Sequence, residues 1–187
     1  MTVPDRLPPT RRQIYRMLTP LKQFNGEFGI WVAAMDDVRR QVKDAVQGMK
    51  PEEIAWKPPL GGNSIGQILR HIACVELEWI VQDIDEEHCP PKGAPDMFSR
   101  PEPMADPGLR LLPDFIKVLD YAREQTYKRL ARLKAADIEG KRQNKDVNPS
   151  KIFTVRWILY HLVDHEAQHK GQIMAVKRML ASFPAAR

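Results

Sequence analysis

Three of the chain's five histidines, His161, His165 and His169, fall on successive turns of one proline-free stretch near the C-terminus, residues 154–180. No other pattern restricts the fold as much. Apolar residues recur there at helical spacing, so the stretch reads as a long amphipathic helix. With Ile158 as reference and about 100° per residue, Leu162, His165, His169, Gln172, Val176 and Leu180 all lie within about 40° of it. Two imidazoles therefore sit in the middle of the core-facing stripe, with His161 about 60° to one side. A buried polar group without a partner costs about 1–3 kcal/mol, so the pair needs partners. These are either side chains on neighbouring helices or a single metal ion, which imidazoles at i and i+4 can reach together. The spacing favours the ion.

The remaining chain must supply the rest of a core around that helix. At 187 residues and 43% hydrophobic content there is material for one domain. We expect it to span residues 24–187, preceded by an N-terminal arm, residues 1–23, with Pro4, Pro8, Pro9 and Pro20 and at most a short helical piece around 12–18. No run approaches the ~20 apolar residues that cross a bilayer, and the N-terminus has no signal-peptide apolar region. A soluble, cytoplasmic protein is expected. The two cysteines, Cys74 and Cys89, form no CxxC pair and read as free thiols. The formal charge is +5, but the basic residues are dispersed: Arg39, Arg40 and Lys43; Lys128, Arg129 and Arg132; Lys141, Arg142 and Lys145. They read as solvated helix faces, and a nucleic-acid partner is not expected.

Three further helices are predicted. Phe28, Trp31, Val32, Met35, Val38, Val42, Val46 and Met49 follow helical spacing from Phe24, and Pro51 stops the first helix. Residues 51–63, with Pro58, Pro59, Gly61 and Gly62, should form no regular element and be anchored by Trp56. Ser64 is a good N-cap for a second helix over 65–87, with Ile68, Ile72, Val75 and Trp79 inward. Ser64, Glu78 and Gln82 share the face of His71, a polar seam of the kind that lines a cleft. Six prolines between 88 and 109 predict a long crossover or lid-like loop. A third helix runs over 113–136, a polar loop over 140–150, and the fourth helix over 152–181, before Pro184. Four long helices and no convincing strand imply an all-α antiparallel bundle.

A catalytic zinc-type site uses three protein ligands and leaves one position open. His165 and His169 supply two, and His71 is the best third, from the second helix. His161 is its rival, although an ion reaching three successive turns of one helix is strained, which leaves His161 to support or packing. His88 is most simply exposed. Imidazole discriminates poorly among zinc, nickel and other first-row divalent ions. Protons compete for the same nitrogens, so ion binding should weaken below about pH 6.5. His165, Glu166 and His169 also spell HExxH, the zincin motif, but no later His, Glu or Asp completes such a site. Glu166 lies about 80° from Ile158, so it flanks the site or bonds a neighbouring helix. Glu78, Glu166 and Gln172 are the candidates for positioning a substrate.

The run TVRWILYHLVDHEAQHKGQI, residues 154–173, resembles the C-terminal signature of the DinB-like superfamily, which includes the YfiT-type metal-dependent hydrolases. EEIAWKPPLGGNSIGQILRHIA, residues 52–73, is similar to that family's approach to its metal histidine. The resemblance implies an up-down-down-up four-helix bundle, often homodimeric. It also implies a divalent ion, commonly zinc or nickel, on His71, His165 and His169, with water completing the shell. Lys170 stands where many relatives carry arginine, and the proline-rich segment 89–107 is the least family-like part. Members with assigned activities include thiol-dependent S-transferases that use a low-molecular-weight thiol.

The expected function is therefore a metal-dependent enzyme of hydrolase or thiol S-transferase type, acting on a small-molecule substrate. Two other readings compete. One is a non-catalytic metal-binding stress-response module in which the ion staples two helices; the other is an interaction bundle that binds protein or nucleic acid through its basic faces.

Overall fold

The computed structural model describes residues 17–99, 102, 104–143 and 150–183. Most of the expected arm, residues 1–16, lies outside them, as does the greater part of the polar loop, residues 144–149. Five α-helices follow in order: α1 (Phe28–Val46), α2 (Pro51–Ala55), α3 (Ile65–Leu77), α4 (Leu112–Leu130) and α5 (Val155–Ser182). α3 continues as a π-helical segment, Glu78–Ile84, which Glu86 ends with a left-handed φ of 55°. No helix among the described residues is long and apolar enough to cross a membrane.

Side-chain pairs establish the helix directions. Lys170 bonds Gln41 and Lys177 bonds the Ala45 carbonyl, so α1 and α5 run parallel. His71 meets His165 and His169, while Trp79 meets Phe153 and His161, so α3 runs against α5. Lys43 pairs with Asp120 and Tyr127 with Asp36, so α4 opposes α1. The order is up-down-down-up, the all-α bundle that the resemblance implied.

This topology makes α3 and α4 parallel neighbours, so a long connection must return the chain along the bundle. The proline-rich segment is that return. It is tied to α3 by the wholly buried Arg70, which donates to the carbonyls of Met97 and Glu102, and by Gln67, which donates to Met104. Met97 and Phe98, on a 3-10 turn, fill the core beneath it.

Ser64 caps α3 as expected: its hydroxyl accepts from Gln67 N–H at 3.2 Å while the Gln67 side chain accepts from Ser64 N–H at 3.0 Å. Several boundaries differ from expectation. Pro51, favourable in a first turn, starts the short α2 inside the segment expected to be irregular, because Ile54 buries against the core. Residues Lys141–Gln143 and Ile152–Thr154 pair as an antiparallel two-stranded ribbon, β1 and β2, where no strand was expected. The fourth helix accordingly begins at Val155, with Thr154 capping it by accepting from Trp157 N–H. The third ends at Leu130 and gives way to a 3-10 turn, Ala135–Glu139.

The apolar core has two parts. One gathers Val42, Val46, Ile68, Ile72, Phe115, Leu119 and Val176; the other gathers Phe28, Val32, Met35, Ile80, Leu130, Ile158 and Leu162. Each of the four long helices also buries a charged residue. Arg39 of α1, Glu76 of α3, Arg123 of α4 and Glu166 of α5 meet as a buried layer of two cations and two anions. Arg39 and Arg129 are thus not solvated: Arg39 is 4% exposed, and Arg129 is buried against Asp85, Glu87 and Gln125. Arg39 lies one turn from Met35 and one from Val42, on the buried stripe itself, which is why its charge is answered by carboxylates from neighbouring helices.

Candidate metal centre

At the level of the charged layer, α3 and α5 bring three imidazoles together. Every residue of α3 is buried except His71, whose ring is half-buried at the gap between the two helices. His165 Nε2 lies 3.1 Å from His71 Nε2 and 3.0 Å from His169 Nε2. The ring centroids are 5.0, 4.7 and 4.3 Å apart for His71–His165, His71–His169 and His165–His169. One nitrogen from each residue thus converges on a common point, and all three can serve one metal ion.

Hydrogen bonding outside the convergence sets the tautomers. His169 Nδ1 donates to Gln172 Oε1 at 2.9 Å, so its proton is on Nδ1 and its lone pair is on the inward-facing Nε2. His71 Nδ1 is buried and has no partner among the described residues. Lone pairs held about 3 Å apart repel unless a proton or a cation lies among them, and three nitrogens each about 2.0–2.1 Å from one ion have separations of this order. The donor set therefore fits a divalent ion.

Electrostatics keep the donors available. Burial, with His169 and Arg70 adding to it, lowers the pKa of His71 from 6.5 to about 4. Burial and the neighbouring histidines lower that of His165 to about 3. Burial also lowers His169, against the opposing hydrogen bond to Gln172. All three are thus held below the ordinary imidazole value of 6.5, which favours the neutral form at pH 7.

The other expected site residues are distributed around this centre. His161 is half-buried beside it, its ring 5.6 Å from that of His165, and is packed among aromatic rings. His88 is exposed. Glu166 turns away from the imidazoles into the charged layer, where both its oxygens accept from Arg39 and one also from Arg123 at 3.4 Å. A carboxylate so engaged is not free to act as a zincin base. Glu78, on the π-helical segment, makes no hydrogen bond to the three imidazoles; burial and Asp83 raise its pKa, with Arg70 opposing. Both cysteines are free, and burial raises their pKa values, to about 11 for Cys74 and about 12 for Cys89, so neither is a thiolate near neutral pH.

Sequence patterning did not single out the layer beneath the centre, although its signal was there. Arg39, Glu76 and Arg123 each occupy a place on an apolar helical stripe, where a charge requires opposite charges from other helices.

Comparison with known proteins bears on this geometry. A profile of the family described as Mycothiol-S-transferase matches residues 31–180. A crystal structure of a conserved protein from Enterococcus faecalis superposes with a TM-score of 0.63 at 15% identity, covering 84% of this chain and 99% of that one, and shares the fold. No curated protein matches the chain. The profile spans both histidine-bearing helices and nearly all of the bundle, so the chain belongs to the mycothiol S-transferase family of the DinB-like superfamily.

Proposed function

We propose that the protein is a metal-dependent transferase that joins the sulfur of a low-molecular-weight thiol, of the mycothiol class, to an electrophilic carbon. The observation that carries this reading is the convergence of three neutral imidazole nitrogens from two helices, in a chain of a thiol-transferase family. Bound there, a divalent ion, zinc or nickel by the resemblance, would keep its full charge against three neutral donors and lower the pKa of a thiol or water beside it. The chain's own residues do the rest. His71 and His165 hold their nitrogens inward on opposed helices, and Gln172 fixes the tautomer of His169. The thiols of Cys74, buried, and Cys89, half-buried, stay protonated and do not compete as nucleophiles. In transfer the thiol loses its proton, a carbon–sulfur bond forms, and the leaving group departs with the electrons of the bond that breaks.

Buried ion pairing also weighs against the nucleic-acid alternative, since Arg39 and Arg123 are answered by the buried Glu76 and Glu166, and Arg129 by Asp85 and Glu87.

The test is metal content by mass spectrometry on untagged protein, for wild type and the His71→Ala, His165→Ala, His169→Ala and His161→Ala variants, followed by thiol-transfer assays of the loaded enzyme. The expected result is about one divalent ion per chain, lost in the first three variants and retained in the fourth. Wild type without metal would refute the site. An ion whose chelation lowers the melting temperature without any thiol transfer would leave the structural-staple reading in its place.

A further inference from the structure

The three converging histidines are not equally supported. His165 and His169 share α5, and His169 is also bonded to Gln172, so their relation is set within one helix. His71 comes from α3, and its Nδ1 has no partner among the described residues. Its Nε2 therefore stands wherever the backbone of α3 puts it. Nitrogens that share an ion must be placed to within about 0.5 Å, whereas packed helices can slide by about 1–2 Å. Apolar contact is non-directional and does not by itself fix that register.

Directional bonds do fix it, and they come from a helix that carries no histidine. Arg39 of α1 donates through Nε and Nη2 to both oxygens of Glu166 on α5, through Nη2 to Glu76 on α3, and through Nη1 to the Leu119 carbonyl on α4 at 2.7 Å. Glu166 lies between His165 and His169 in sequence, and Glu76 follows His71 by five residues, about 7.5 Å along the helix axis. Glu76 is itself held from α4, by Arg123 at 2.7 Å and by the Thr126 hydroxyl at 2.7 Å. Arg123 reaches Glu166 as well, but through one contact at 3.4 Å, beyond the usual hydrogen-bond range. Arg39 is thus the principal link between the two carboxylates, and through them between the two histidine-bearing helices.

We propose that Arg39 is a positioning residue of the metal centre: by bridging Glu76 and Glu166 it sets the register of α3 against α5, and so holds His71 Nε2 at 3.1 Å from His165 Nε2. The inference rests on the metal reading of the three histidines. Lysine is no substitute in this role. An ammonium keeps the charge but is a compact point donor without the planar fork that reaches three helices at once.

The experiment uses the untagged full chain, stripped of metal. Zinc affinity is measured by competition with a chelating dye, the environment of the ion by the visible bands of bound cobalt, and the stability of the metal-free protein by urea denaturation. Wild type is compared with Arg39→Lys and with Arg129→Lys. Arg129 is the control: it is as buried as Arg39, but it pairs with Asp85 and Glu87, beyond the end of the π-helical segment. Arg39→Lys should weaken zinc binding at least tenfold and alter the cobalt bands, while Arg129→Lys does neither, even where both lose stability in urea. Should Arg39→Lys fold poorly, Arg39→Met combined with Glu166→Gln decides, since it removes one cation and one anion together and leaves no charge unpaired; the same tenfold loss is expected. Zinc bound by the deciding Arg39 variant as tightly as by wild type would overturn the proposal. So would an equal loss in Arg129→Lys, because affinity would then follow general stability. Wild type that binds no zinc would instead sink the metal reading itself, a result distinct from either.

Discussion

At the scale of single residues, His169 shows how a neighbour on the same helix orients an imidazole toward the proposed metal site. Gln172, nearly one turn on, accepts the Nδ1 proton at 2.9 Å and so leaves the Nε2 lone pair facing His165. Removing such support costs metal sites about 10–100-fold in affinity. Gln172 is exposed, and water can partly replace it. We therefore predict that Gln172→Leu weakens zinc binding by about tenfold, at the low end of that range, with little change in the melting temperature of the metal-free protein. Competition against a chelating dye measures this; an unchanged affinity would reduce Gln172 to a surface contact. The helical stripe was enough to place Gln172 beside the histidines. Which atom it would bond depends on side-chain rotamers, to which spacing along a helix is blind.

Among the elements, α3 is the most enclosed, and one glycine in it, set against one in α5, shows what its packing demands. A Cβ on Gly66 would stand 2.9 Å from Phe115 Cζ on α4 and 3.3 Å from Ile54 Cγ2 on α2. Both neighbours are themselves buried and cannot withdraw into solvent. Overpacking of this kind costs about 1–3 kcal/mol, so Gly66→Ala should destabilise the protein by that amount. At Gly171, inside α5, a Cβ would have no neighbour within 4 Å among the described residues. There alanine only removes backbone freedom from the unfolded chain, and Gly171→Ala should stabilise by about 0.5–1 kcal/mol. Urea denaturation of the two variants tests both signs, and a shift in the same direction for both would refute the packing argument. The helices themselves were legible because their apolar period runs for many turns. The β1–β2 ribbon was not: three residues per strand carry too short a pattern to distinguish from a loop. The π-helical widening over Glu78–Ile84 was equally hidden, since a shift from i+4 to i+5 bonding changes which face Trp79 presents without altering composition.

For the molecule as a whole, the charged layer ties all four long helices at one height, the height of the histidines. Glu76 is its most connected member: it accepts from Arg39, from Arg123 at 2.7 Å and from the Thr126 hydroxyl at 2.7 Å. Burial alone would raise its pKa, but Arg123 and Arg39 outweigh burial and lower it from 4.5 to about 2. The direction fixes the pH dependence. An unfolded chain takes up this proton near pH 4.5 whereas the folded chain resists until about pH 2, so the stability that Glu76 contributes is complete above pH 4.5 and is lost as pH falls from there toward 2. Glu76→Gln leaves two guanidiniums facing Glu166 alone among the buried carboxylates, and breaking a buried network in this way costs about 3–5 kcal/mol. We predict a loss of that size at pH 7, and a clearly smaller gap between variant and wild type at pH 3, where the wild type has already begun to forfeit the same interaction. Urea denaturation at the two pH values measures both gaps. Equal gaps would mean that Glu76 acts through its shape and not its charge, and the layer would then be packing alone.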